Sequence, residues 1–243
     1  EQVRLGAALA VLALLPACLG GLEPDETGGA PAEAVVTSDN VVVTGPSGFC
    51  VDETATRSEG DTAFVLLGNC AAISNSRRAA QPEVPVVLTA AISEASDAGS
   101  ISESLADLDA YFRSDEGRTL LSRTQEPESV TILETTTETD LFLLHARDTS
   151  AGAMQGVKED YWRAYLDLGS RIATLSVLAL EDRGVTREQS LAALLSFART
   201  VRQANAQDAS EEVAVADAPP SAVPEPRQRG GLFNIGLFRR IFD

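Results

Sequence analysis

The sequence predicts an α+β domain with flexible N- and C-terminal extensions. Three observations carry that prediction. Two capping boxes each precede apolar residues at helical spacing; strand-length apolar segments end in a four-strand meander; and two cysteines flank a Gly-centred turn. At 243 residues, with 44% apolar and 23% charged residues, the chain has globular composition and room for one ordinary domain plus extensions.

Val41-Val42-Val43 and Ala63 to Leu67 read as strands joined through the polar stretch Glu53 to Asp61. If Cys50 faces Cys70 across an antiparallel pair, the turn centres near Gly60, where the sequence is Ser58-Glu59-Gly60-Asp61. Pro85 to Ile92 is a third apolar strand. Ser100 and Glu103 then form a capping box ahead of Leu105, Leu108, Tyr111 and Phe112, one stripe along a helix, with Leu120 and Leu121 in a second helical turn beyond Gly117. Strands at about 129–137, 140–148, 160–167 and 171–180 make the meander, and Leu168-Gly169-Ser170-Arg171 supplies its last turn. Thr186 with Gln189 repeats the capping box before Leu191, Leu194, Leu195, Ala198 and Val201, the closing helix. The domain is expected to span residues 38–205.

The first residues differ in kind. Arg4 is followed by the uncharged Leu/Ala-rich run Leu5 to Leu15, a short basic start and apolar stretch of secretory type, so 1–17 is expected to be a signal peptide. Leu15-Pro16-Ala17-Cys18 resembles the bacterial lipoprotein box, which implies lipid on Cys18. An uncleaved anchor and ordinary secretion remain open, although the apolar run is short for a membrane span. Leu19, where an Asp would resemble an inner-membrane retention signal, points toward the outer membrane. Residues 18–37, rich in Gly, Pro, Ala and acid, read as the lipidated cysteine and a flexible tether. With Cys18 assigned to lipid, Cys50 and Cys70 form an even pair in an exported chain, most simply a disulfide that constrains the unfolded state by roughly 3 kcal/mol.

The order of hairpin, third strand, helix, meander and closing helix resembles the PsbP-like superfamily, which includes bacterial lipoproteins. The Leu-rich closing helix after Arg171-Ile172-Ala173-Thr174-Leu175-Ser176-Val177 strengthens the likeness. The resemblance implies an antiparallel sheet flanked by helices, an α/β/α sandwich that functions by binding rather than catalysis.

Several chemistries are excluded. A net charge of −17 leaves no basic footprint for nucleic acid. Gly45-Pro46-Ser47-Gly48 enters like a phosphate loop, but the required Gly-Lys-[Ser/Thr] is absent, so it reads as a bend in the first hairpin and no nucleotide is expected. His145 is the single histidine, which rules out multi-histidine metal sites. It shares a strand face with Leu141, Leu143 and Arg147, and no Gly-x-Ser-x-Gly elbow accompanies it. Lys158, the sole lysine, has Gln155 where a Ser-x-x-Lys pair needs serine. No catalytic residue, metal or cofactor is expected.

Trp162 lies on the opposite strand face from Tyr161 and Tyr165, so the three aromatics are not expected to be core together. They read as anchors at an edge, or as residues partly packed under a helix. Residues 206–226 form an acidic Pro/Ala linker. Residues 227–243, RQRGGLFNIGLFRRIFD, reverse the charge, and Phe233, Leu237, Phe238, Arg239, Arg240 and Phe242 are the candidates for binding a partner or membrane. A tail folded back on the acidic domain and an unstructured end are the other readings.

The function expected is that of a non-enzymatic scaffold or accessory binding protein. It would be lipid-anchored on the periplasmic face of the bacterial envelope and would have an envelope protein partner. Alternatives are a periplasmic hydrolase using His145 and a membrane-interacting protein acting through its tail.

Overall fold

Fifteen short elements build an antiparallel sheet flanked by helices, an α+β fold, in a computed structural model that describes residues 26–97, 100–150 and 156–212. The strands are β1 (Glu33–Val36), β2 (Val41–Thr44), β3 (Phe49–Val51), β4 (Arg57–Glu59), β5 (Thr62–Asn69), β6 (Val86–Ile92), β7 (Val130–Glu138), β8 (Leu141–Asp148), β9 (Val157–Leu168) and β10 (Arg171–Leu180). The helices are α1 (Cys70–Ile73), α2 (Ile101–Arg113), α3 (Asp115–Leu121) and α4 (Arg187–Glu212), with a 3-10 turn at Pro127–Ser129. The main sheet runs β3-β5-β6-β10-β9-β8-β7, with β4 also on β5, and every pairing is antiparallel.

Alternation along the strands creates two apolar layers. Leu141, Leu143, Trp162, Ala164, Leu166, Leu175 and Val177 face α4, whose Leu194, Phe197, Ala198 and Val201 are all fully buried. Phe142, Leu144, Ala146, Tyr161, Tyr165 and Ile172 face Ile101, Leu108, Phe112 and Leu121 of α2 and α3. Phe112 stacks on Tyr165 with centroids 4.9 Å apart and on Phe142 at 5.6 Å. Both expected N-cap side chains are in place, and the second closes as a reciprocal box. Ser100 Oγ accepts from the Glu103 amide at 3.2 Å. Thr186 and Gln189 exchange two bonds, at 2.9 and 3.2 Å.

The two-layer arrangement corrects the expectation for the aromatics. Trp162 (1% exposed), Tyr161 (3%) and Tyr165 (0%) are all core, because helices cover both faces and β9 is an interior strand rather than an edge. Opposite faces of one strand can therefore both be dry.

The first hairpin also differs. β2 does not pair with Ala63 to Leu67; it pairs with β1 in a separate two-stranded ribbon, and Glu33–Val36 lies in the segment expected as tether. β5 instead takes β3 and β4 along one edge and β6 along the other. The reason is visible in the hydrogen bonding. The side chain of Asn205 on α4 accepts from the Val42 amide at 2.9 Å and donates to the Val42 carbonyl at 2.8 Å, closing one edge of β2 as a neighbouring strand would. The turn at Gly60 is where expected, with Glu59 opposite Thr62 and Gly60 at φ +59°. Cys50 opposes Gly68 rather than Cys70, and Cys70 opens α1. The two sulfurs nevertheless lie 1.99 Å apart, at disulfide distance.

Arg171, 2% exposed, ties the sheet to these turns. It donates through Nε to Asp39 at 2.8 Å and through Nη1 to the carbonyls of Asp61 and Ser93. One guanidinium thus fixes the β1–β2 turn, the β4–β5 turn and the end of β6 onto β10.

Candidate functional site

Gly45-Pro46-Ser47-Gly48 is not a bend within a hairpin; it carries the chain from β2 of the ribbon to β3 of the main sheet. The Phe49 amide donates to the Pro46 carbonyl at 3.1 Å, closing the turn. Gly48 sits at φ +87°, and a Cβ there would come within 2.4 Å of the Gln81 carbonyl carbon and 2.5 Å of the Pro82 nitrogen. Only glycine meets both demands. The bend is consequently locked against the segment preceding β6.

That lock makes one wall of a groove of about 610 Å³. Pro46, Ser47 and Phe49 form the bend side, Gln81, Glu83 and Val84 the second, and Gln189, Ala192, Ala193 and Ser196 of α4 the third. The small side chains of Ala192, Ala193 and Ser196 leave space along the first turns of α4, which the buried Phe197 and Leu194 hold to the sheet on the other side. Its volume is in the range of ordinary ligand sites. Glu83 is exposed and is the charged group in this lining, which mixes apolar Pro46, Phe49, Val84, Ala192 and Ala193 with polar Ser47, Gln81, Gln189 and Ser196. Nothing in the local sequence signals it, because a concavity built from Ala, Ser, Pro and Gln has no motif.

A second concavity of about 630 Å³ lies beside the cysteine pair, between Gly28–Pro31, Asp52–Thr54 and Ala72–Ser74. Its walls are turns together with Val51 of β3 and the end of the short helix α1.

His145 is placed by β8 on the α4 side of the sheet, as its alternation predicts, and is 8% exposed. Its ring lies flat on Trp162, centroids 4.5 Å apart and planes 7° from parallel. Arg187 of α4 covers the same indole at 5.4 Å and pairs with Glu134, the β7 neighbour of His145. Burial pushes the imidazole pKa down, opposed by the Asp160 carboxylate, which is itself held by Arg147 at 2.6 Å. Among the described residues neither ring nitrogen accepts a hydrogen bond from a serine or donates one to a carboxylate. The geometry is that of a packed stack.

Asp148 is 0% exposed and accepts from the amides of Arg123 (3.1 Å) and Ser150 (2.9 Å) and from Ser129 Oγ (3.0 Å). Burial favours its protonated form, but these donors outweigh it, and the pKa is lowered. Lys158 donates to the Val185 carbonyl at 3.1 Å, holding the turn before α4.

Cys18 and the tail residues Phe233, Leu237, Phe238, Arg239, Arg240 and Phe242 lie outside the described residues. Among the described residues no helix is long and apolar enough to cross a membrane, and no group of three or more His, Cys, Asp and Glu side chains is placed to hold a metal ion. A scan against protein-family models finds no match to the chain, and no curated protein is significantly similar to it.

Proposed function

We propose that this protein is a lipid-anchored, non-enzymatic binding module of the bacterial envelope, held at Cys18 on the periplasmic face, and that it receives an envelope protein in the groove between α4 and the Gly45–Gly48 bend. The likeness to the PsbP-like superfamily belongs to this proposal. The single observation that carries the binding reading is the preformed groove, whose wall is fixed by a glycine with no room for a side chain. A rigid concavity saves the ordering cost that a mobile surface would incur on association. The disulfide-distance cysteine pair supports an oxidising compartment. The Leu15-Pro16-Ala17-Cys18 segment supports the anchor. His145, stacked on Trp162 and shielded by Arg187, is occupied in packing, which favours binding over hydrolysis.

The test is a photoreactive residue in place of exposed Ser47, activated in intact envelopes. A discrete adduct with another envelope protein is expected, reduced at least tenfold when Ala192→Trp fills the groove. Identical products with and without the tryptophan would sink the reading.

A further inference from the structure

The groove offers apolar contacts from Pro46, Phe49, Val84, Ala192 and Ala193 among polar neighbours, a carboxylate at Glu83, and one wall formed by a helix that leads toward the rest of the chain. A ligand suited to it would offer one or two large apolar side chains and a cation beside them. The chain itself contains such a segment. Gly230 to Asp243 carries Phe233, Phe238 and Phe242 with Arg239 and Arg240.

We infer that the resting occupant of the groove is this chain's own segment Gly230–Asp243, docked in cis as a latch that an incoming partner must displace. The inference rests on the groove being the binding surface proposed above. Reach permits it. From Ser196 at the groove to Glu212 at the end of α4, the helix rises about 24 Å at 1.5 Å per residue. Residues 213–226 can extend by about 46 Å at ~3.3 Å per residue. The connection is thus long enough to double back along α4.

Tethering then decides the competition. A segment joined through a short linker has an effective concentration on the order of millimolar at its site, so a docking interaction too weak to persist between separate molecules still fills the groove. Charge favours the same occupant. Within Gly230–Asp243 the two arginines Arg239 and Arg240 outnumber the one aspartate in a chain of net charge −17, and Glu83 stands at the rim. A symmetric pairing of two grooves is disfavoured on shape, because a two-fold contact would set a concavity against its own copy.

Phe238 replaced by a photoreactive residue in the full lipidated chain, purified in detergent and irradiated at high dilution, tests the latch. The expected product is an intramolecular adduct on residues 46–49, 81–84 or 189–196, reduced at least tenfold by Ala192→Trp at an unchanged melting temperature. It should also weaken as salt is raised, since the arginine contribution is screened. Adducts on detergent or lipid, on another face of the domain, or between two chains would each overturn cis docking. The photoreactive residue at Ser47 separates the two claims. If Ser47 captures an envelope protein while position 238 never reaches the groove, the binding surface stands and the latch falls; if neither engages the groove, the binding reading falls with it.

Discussion

His145 and Arg171 show how single side chains were committed to the fold, and each yields a prediction. Burial against Trp162 lowers the His145 pKa below its ordinary 6.5, so the neutral ring is the folded form. As pH falls below about 6.5, the unfolded chain takes up a proton before the folded one does. Stability should therefore decline between pH 6.5 and the lower folded value, then level off with respect to this group. His145→Phe, which keeps a stacking ring, should remove that decline. Urea midpoints at pH 7.5 and 5.5 for both proteins check it.

Arg171 also lowers the pKa of a neighbour, here by stabilising its charged form. Its hydrogen bond holds the Asp39 carboxyl below the usual 3.8, so this contribution is present above that value and is lost as pH falls through the folded pKa. Arg171→Met should cost roughly 2–4 kcal/mol at pH 7, the scale of several charge-assisted bonds lost with buried carbonyls left unmade. The difference from wild type should narrow below about pH 4. Denaturant titration across that range measures both effects.

Among the elements, those most legible in the sequence were those whose signal is local. α2 and α4 follow capping boxes and apolar stripes, and the meander strands lie within a few residues of their expected positions, because helical spacing and strand alternation are properties of contiguous chain. What was not legible depends on partners far along the chain. β2 reads as a strand, but it pairs with β1 and its other edge meets Asn205, a residue 163 positions away. The burial of Tyr161 beside Trp162 depends on helices covering both faces, which no single-strand pattern reveals. The groove escaped notice because its walls come from three separate segments of small or neutral residues. Asn205→Ala should loosen the ribbon, costing about 1–3 kcal/mol for the two unsatisfied groups of Val42. Hydrogen exchange at Val42 should accelerate while the amides of β9 and β10 remain protected; uniform acceleration across the sheet would show that the ribbon is no separate unit.

For the whole molecule, the account joins a groove-bearing α+β domain to an envelope anchor and a basic-aromatic tail. No described helix is long and apolar enough to cross a membrane. In the proposed reading attachment is through lipid at Cys18, with several acyl chains at ~0.8 kcal/mol per buried methylene giving stable retention. Confinement to a surface would also raise the local concentration of the groove near envelope partners. In the proposed reading, lipid on that cysteine would place the protein in its compartment, and anchor, partner and location all depend on it. The most direct measurement is metabolic labelling with a fatty-acid probe, comparing wild type with Cys18→Ala and separating membranes from soluble contents. The account predicts a labelled, membrane-bound wild type and an unlabelled Cys18→Ala chain. Equal labelling of both proteins, or none of either with the wild type free in solution, would contradict it.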